Sequence, residues 1–420
     1  MPKLTLHEAS RMTRSKRIFS PYIVGGQPIR GQTIRGPIRG LPRRGPLIQG
    51  LPIQGPPLPF ASHHAPPMSA DSSAPISFPS ISLCPSGGRW VSGIDIADIP
   101  VTSSGYTGVR RNLPQELPSL EELHRRGFKV LVCQPGETCP ITDVEDRVIC
   151  VVHILPPGQS RTVVLEANAA IEQAHERIFF TEKQENHRRG DFPAASYGIS
   201  FGGGQTRPDF LKHSVKTNAI LQSLLKHRAF NHFSDDSNYL FTTYGSQIRQ
   251  SYLDGLAALQ KWDPQLVPNF PGTAFAACTW NFGPAAVSYP HIDDANVAFG
   301  WCSITALGDY NPDLGGHLIL WDLDLVIRFP PGATILIPSA LLAHSNVPIQ
   351  EGEKRYAFVQ FTAGGLFRWI DHDFQSVEQW EKNASEPQRQ QYEKDREARV
   401  RDGYNRFSNF SEVVRGSQRS

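Results

Sequence analysis

Three side chains of metal-ligating type stand at suggestive spacing in the C-terminal half of the chain. His291 and Asp293 lie two residues apart in "YPHIDDAN", and His344 follows the apolar run "ATILIPSALLA". On an extended strand a spacing of two puts both side chains on one face and turns the neighbouring Asp294 to the other. Two imidazoles and one carboxylate on three vertices form the facial set that suits Fe(II), with the opposite positions open for a co-substrate and O2. An isolated H-x-D arises by chance in many chains, but this one has company. Arg355, eleven residues beyond His344, opens the run "RYAFVQFT". A buried guanidinium there can grip a carboxylate through its planar fork. 2-Oxoglutarate offers such a carboxylate at its far end, while its keto-acid end chelates iron. The expected metal ligands and catalytic residues are therefore His291, Asp293 and His344, with Arg355 as the co-substrate anchor. Asp294 is expected to be a surface or outer carboxylate of least consequence.

These residues need a scaffold that presents them from several strands. From about Thr273 the hydrophobic period is two, in the runs "AFAACTWNFG", "AAVSYPHI", "WCSITALG", "GHLILWDL", "LVIRF", "ATILIP" and "KRYAFVQFT". Turn signals such as "NPDLGG" and "PPG" separate them, which predicts a sandwich or jelly roll. Helical patterns precede the strands instead of alternating with them, so the class is α+β. Upstream, "LPSLEELHRRG" reads as a short helix, "FKVLVC" and "DRVICVVHIL" as strands, and "RTVVLEANAAIEQAHERIFF" as a longer helix. "ASYGISFGGGQTRPDF" reads as a loop, followed by two helices with apolar stripes at Ile220, Leu221, Leu224 and Leu225 and at Ile248, Tyr252, Leu256 and Leu259. The glycines of that loop lack the GK[ST] of a P-loop and the strand–GxGxxG–helix setting of a dinucleotide site. A solvated helix is predicted over "SEPQRQQYEKDREARVRDG", capped by Ser385, with Pro387 in its first turn and Gly403 at its end.

Charge and composition separate this body from an N-terminal tail. Residues 1–60 hold ten Lys/Arg against Glu8, a net of +9, while the other 360 residues hold 32 Lys/Arg against 39 Asp/Glu, a net of −7. Residues 1–80 repeat Arg-Gly or Gln-Gly with frequent Pro, a composition that buries too little apolar area to offset its ordering entropy and predicts disorder. The cluster "RMTRSKR" suits nuclear import or a polyanion. Six cysteines without C-x-x-C spacing argue against a zinc cluster and a disulfide framework. With no secretory pattern and no 18-residue apolar run, the expectation is an intracellular, nuclear protein with no membrane span.

Four stretches, "SFGGGQTRP", "TWNFGPAAVSYPHIDDANVAFGWCSITALG", "GGHLILWDLDLVIRFPPGATILIPSALLAHSN" and "GEKRYAFVQFTAGGLFRW", resemble the TET/JBP group of 2-oxoglutarate/Fe(II) dioxygenases, above all its mushroom-type fungal members. The likeness extends over segment 118–180 and the C-terminal helix, about 300 residues in all. It implies a double-stranded β-helix (jelly-roll) core and oxidation of a methyl group on a DNA base, 5-methylcytosine or N6-methyladenine. It also implies DNA as partner and Fe(II), 2-oxoglutarate and O2 as cofactors. The family's iron ligands fall on His291, Asp293 and His344, and its oxoglutarate arginine on Arg355. The resemblance further assigns an oxoglutarate contact to Asn281 and base contacts to Asn296 and Phe361. Two positions depart from the pattern. Ala357 replaces a Ser or Thr that helps hold oxoglutarate, and Ala363 stands where animal members carry a second base-contacting His. The group's cysteine-rich zinc region is missing. The implied organisation is a tail over 1–80, a dioxygenase domain over 85–372, and a C-terminal helix and tail over 373–420. Within the domain, an α/β flank spans 105–185, a helical part 186–265 and the β-helix core 270–372. Two other classes share parts of this reading. One is a prolyl-type peptidyl hydroxylase with the same iron chemistry, and the other a catalytically silent nucleic-acid-binding protein.

Overall fold

Alternating apolar residues over 270–372 do form strands, and the order in which they pair decides what can meet. The computed structural model describes residues 81–83 and 88–417; the tail expected over 1–80 lies outside them. A nine-stranded sheet has as its inner members Thr138–Thr142, Val148–Ile154, Ala333–Ile337, Cys302–Asp309, Lys354–Phe361, Ala277–Asn281 and Ala194–Ser200, in that spatial order and antiparallel to one another. A five-stranded sheet contains Lys129–Val132, Leu325–Ile327, Leu318–Leu320 and His344–Asn346.

From Cys302 onward the chain crosses between the two sheets. Cys302–Asp309 belongs to the large sheet, the pair Leu318–Leu320 and Leu325–Ile327 to the small one, Ala333–Ile337 to the large, His344–Asn346 to the small and Lys354–Phe361 to the large. Ile304, Ile335 and Leu336 from the large sheet share one buried cluster with Leu318, Leu320 and Leu325 from the small. Each such side chain contributes about 1.5–3 kcal/mol on burial. The large sheet's outer face is covered by the helices Pro157–His175, Val215–Leu225 and Arg228–Tyr244, whose Ile171, Leu221 and Phe230 pack with Trp280 and Phe358. Strand periodicity therefore sorts the Lys354–Phe361 side chains: Tyr356 and Phe358 go to the helices, and Arg355, Ala357 and Val359 to the space between the sheets.

Four expectations change. "AAVSYPHI" makes only isolated bridges, Ala285 to Arg355 and His291 to His344, and is not a strand; Pro284 and Pro290 withhold donors that a continuous ladder needs. Residues 194–200, expected to be loop, form a strand paired with Ala277–Asn281. Gly198 disguised it, because a Cβ there would meet the Ala276 carbonyl at 2.5 Å, so this strand demands a residue that strand propensity disfavours. The helix Arg228–Tyr244 was not anticipated, since the polar "HFSDDSNY" hides the buried stripe of Phe230, Phe233, Leu240 and Phe241. Finally, the C-terminal helix runs through Gly403 to Tyr404, with the expected cap at Ser385. Gly403 is there for close approach, because a Cβ would stand 2.0 Å from the Phe299 ring.

Candidate metal and co-substrate site

The "HIDDAN" segment reaches the edge of the small sheet through two reciprocal backbone hydrogen bonds. His291 N–H donates to the His344 carbonyl at 3.1 Å and His344 N–H to that of His291 at 2.9 Å. The two imidazoles therefore lie side by side, with ring centroids 4.3 Å apart. Each Nδ1 faces a backbone carbonyl two residues upstream, that of Tyr289 at 2.7 Å and that of Leu342 at 3.0 Å. A carbonyl only accepts, so the proton sits on Nδ1 and each Nε2 keeps its lone pair toward the space between the rings.

Asp293 closes the group. Its Oδ1 lies 3.9 Å from His291 Nε2 and its Oδ2 3.9 Å from His344 Nε2. One donor atom from each residue falls within 4.8 Å of the others. Two backbone features hold it in place: its own N–H donates to the Ser339 carbonyl at 2.8 Å, and its carbonyl accepts from Asn296 N–H at 2.8 Å. The loop before His344 is fixed by an ion pair absent from the sequence reading. Arg111 donates to both oxygens of Asp322 at 2.6 and 2.9 Å, and Asp322 accepts from Ala343 N–H at 2.7 Å.

Burial drives the electrostatics. It pushes the His291 imidazole down to about 3, helped by His344, and lowers His344 as well, so both rings are neutral ligands at ordinary pH. Burial opposes charge on Asp293, yet its carboxyl lies below the usual range: the imidazoles lower it only where they are protonated, and Arg189 and Arg188 lower it at any pH. Asp294 points away and pairs with Arg188 at 2.9 Å. The division between the two carboxylates expected from alternation is thus present, although a turn and not a strand produces it.

The same cleft runs on to Arg355, past Asn281, Ile304, Leu318 and Val359. Arg355 is 2% exposed. One terminal nitrogen donates to the Ala286 carbonyl, its Nε has no partner, and it makes no ion pair with a carboxylate among the described residues. Burial lowers its pKa from the usual value, opposed by the Tyr310 hydroxyl. Asn281 Oδ1 is likewise buried without a partner. The cleft therefore couples three metal-type donors to a buried cation lacking a counter-charge, and a metal with a carboxylate-bearing co-substrate fits that donor set.

The structure brings His291, Asp293, His344, Arg355 and Asn281 into one cleft, and not the other two candidates. Asn296 spends its Nδ2 on Ser339 Oγ at 3.0 Å, and Phe361 continues the Arg355 row but packs against the main core. Sequence reasoning missed Arg189, which lines the cleft with Nη1 3.6 Å from Asp293 Oδ1, and Asn346, whose Oδ1 accepts from Ser288 N–H at 3.2 Å. The signal for Arg189 was the arginine pair ahead of glycine in "NHRRGD", a two-residue hairpin turn between Asn186–His187 and Gly190–Asp191.

No protein-family model matches the chain, and no curated protein does. Solved structures that align with it include three oxygenases. NgTET1 in complex with 5mC DNA is 14% identical, over 57% of this chain and 83% of that one, with a TM-score of 0.40. A 2OG-Fe(II) oxygenase family oxidoreductase from Burkholderia pseudomallei is 16% identical, over 51% and 84%, at 0.28. The viral collagen prolyl hydroxylase vCPH from Paramecium Bursaria Chlorella virus-1, as its 2OG complex, is 18% identical, over 20% and 55%, at 0.16.

Proposed function

We propose that the protein is an Fe(II)- and 2-oxoglutarate-dependent dioxygenase with a double-stranded β-helix core, acting on a methyl group of a DNA base. One observation carries this reading: His291, Asp293 and His344 converge in a cleft that also holds a buried arginine with no carboxylate partner. A structural arginine this deep would be costly without a counter-charge, whereas a dicarboxylate co-substrate supplies one. Bound iron would supply the redox chemistry that couples O2 to decarboxylation of the keto acid and oxidation of a substrate C–H bond.

The chain's own residues do the rest. The carbonyls of Tyr289 and Leu342 fix both imidazoles as Nε2 ligands. Arg355 takes the far carboxylate of the co-substrate, with Asn281 beside it. Ile304, Leu318 and Val359 keep water from the walls between them. Asn296 and Phe361 are assigned to the base side. DNA is the favoured substrate on the resemblance of the motifs, although the acidic body leaves phosphate contacts to local arginines such as Arg188 and Arg189 at the mouth. A duplex would have to release its base into the pocket.

Incubation with Fe(II), 2-oxoglutarate and oligonucleotides carrying 5-methylcytosine or N6-methyladenine tests the reading by mass spectrometry. The expected result is succinate together with an oxidised or lost methyl group. Succinate formed with prolyl peptides and no turnover of DNA would replace the nucleic-acid reading with a peptidyl hydroxylase.

A further inference from the structure

The turn Arg188–Arg189 presents two consecutive arginines to two consecutive aspartates: Arg188 pairs with Asp294 at 2.9 Å, and Arg189 stands 3.6 Å from Asp293 Oδ1. Little of this hairpin is free to move. Arg188 also donates to the Ile292 carbonyl at 2.9 Å, the Arg189 carbonyl accepts from Tyr289 N–H at 2.7 Å, and the Tyr289 hydroxyl donates to Asp191 at 2.7 Å. Gly190 lets the hairpin lie close to the "HIDDAN" segment, since a Cβ there would meet the Phe192 ring and the Val287 carbonyl at 2.4 and 2.9 Å. Every link runs to the stretch that carries His291 and Asp293.

We infer that Arg189, delivered by this clamped hairpin, is a positioning residue that reserves one oxygen of Asp293 and leaves the other as the single donor to a divalent metal. A guanidinium 3.6 Å from Oδ1 draws the carboxylate's charge toward that oxygen and disfavours chelation through both, which keeps a coordination position open. The same cation lowers the negative potential at the site and weakens metal binding. Arg189 thus trades affinity for an open position. The inference rests on the proposed metal centre.

The sign of the effect makes it testable with Co(II), whose visible bands report coordination number. Arg189→Gln is expected to bind Co(II) about three- to tenfold more tightly than the wild type, the Coulomb term being partly screened at this half-exposed site. Its absorption should change in shape, and Arg189→Lys, which keeps the charge, should restore the wild-type affinity and bands. Equal or weaker Co(II) binding by Arg189→Gln with an unchanged spectrum would overturn the inference and leave the metal centre standing. Equal binding by the wild type and by Asp293→Ala and His344→Ala variants would overturn both. Thermal melting of each variant separates loss of fold from loss of positioning, and an Arg189→Gln protein that melts like the wild type yet binds more tightly supports the role.

Discussion

Two arginines at two hollows of this molecule have opposite environments. Arg399, on the C-terminal helix, lines a cavity with Phe299, Phe367 and Ile370. It is answered on every side: Asp371 pairs with it at 3.2 Å, the Ser104 carbonyl accepts from it at 2.7 Å, and the Tyr106 ring lies 4.0 Å beneath its guanidinium. Tyr106 in turn donates to Asp371 at 2.5 Å. Arg355 is more deeply buried, yet it has one carbonyl, a neighbouring tyrosine hydroxyl and no carboxylate among the described residues. A cavity whose charges satisfy one another is part of the framework. One that leaves a buried cation unanswered is waiting for an anion. This contrast separates site from scaffold better than cavity size does.

The sharpest break in the contrast is at the metal-donor end. Asp293→Ala removes one of three donors, and divalent metal affinity should fall by at least about 100-fold, since loss of mere outer-shell support already costs 10–100-fold. Co(II) titration reads this directly, and unchanged binding would remove Asp293 from the site. Its melting temperature should fall modestly, because the depressed Asp293 carboxyl favours the folded state and Arg189 loses the charge it faces.

Next comes Arg355→Met. If the guanidinium answers the co-substrate, KM for 2-oxoglutarate should rise about 100-fold, the worth of a charge-assisted pair near 2.7 kcal/mol. Stability should barely change. Arg399→Ala should do the reverse, costing about 1–2 kcal/mol through the lost Ser104 hydrogen bond, the ring contact and the partly exposed pair with Asp371, with 2-oxoglutarate turnover within about twofold of wild type. Denaturant melts and steady-state kinetics on the pair decide it. A large kinetic loss in Arg399→Ala with intact stability would erase the distinction between the hollows.

How much of this was legible in sequence follows from which forces act locally. Spacing picked out His291, Asp293, His344 and Arg355, because the first two stand two residues apart, His344 follows an apolar strand and its loop, and Arg355 begins a clear period-two run. Backbone conformation was less legible. Pro290 kept "AAVSYPHI" out of a ladder that its apolar residues suggest, and Gly198 hid a strand because its need is steric, set by the distant Ala276 carbonyl. Partners from remote segments were invisible. Nothing near Arg111 announces Asp322, and nothing in "NHRRGD" announces Asp293 and Asp294 about a hundred residues on. Asn296 likewise gave no local hint of its partner Ser339, whose hydroxyl accepts from its amide.

A smaller effect comes from His317, which precedes the strand Leu318–Leu320 beside that of His344 but stays out of the cleft. Burial pushes it down to about 4, reinforced by Arg328 and opposed by Asp313. Its unfolded value is about 6.5, so between those two values the unfolded chain binds the proton and the folded one does not. Stability therefore rises with pH across that window and is lost as pH falls through it, by up to ~1.4 kcal/mol per unit from this group. His317→Asn should flatten that part of the stability–pH curve. A parallel curve, displaced but equally steep, would mean that His317 does not titrate there.

The smallest expected effect belongs to Asp294, and it tests the two carboxylates against each other. Its ion pair with Arg188 is partly exposed, with side chains 26% and 42% accessible, and such pairs contribute about 0–1 kcal/mol. Asp294→Asn keeps an oxygen that can accept from Arg188, so the hairpin should stay docked through the Ile292 and Tyr289 contacts. Co(II) affinity should then shift by less than about threefold, because the hairpin keeps its place and Arg188 keeps a partner, while the lost charge is partly exposed and screened. A loss as large as that of Asp293→Ala would mean that both carboxylates serve the metal, and the assignment by direction of the side chain would be wrong.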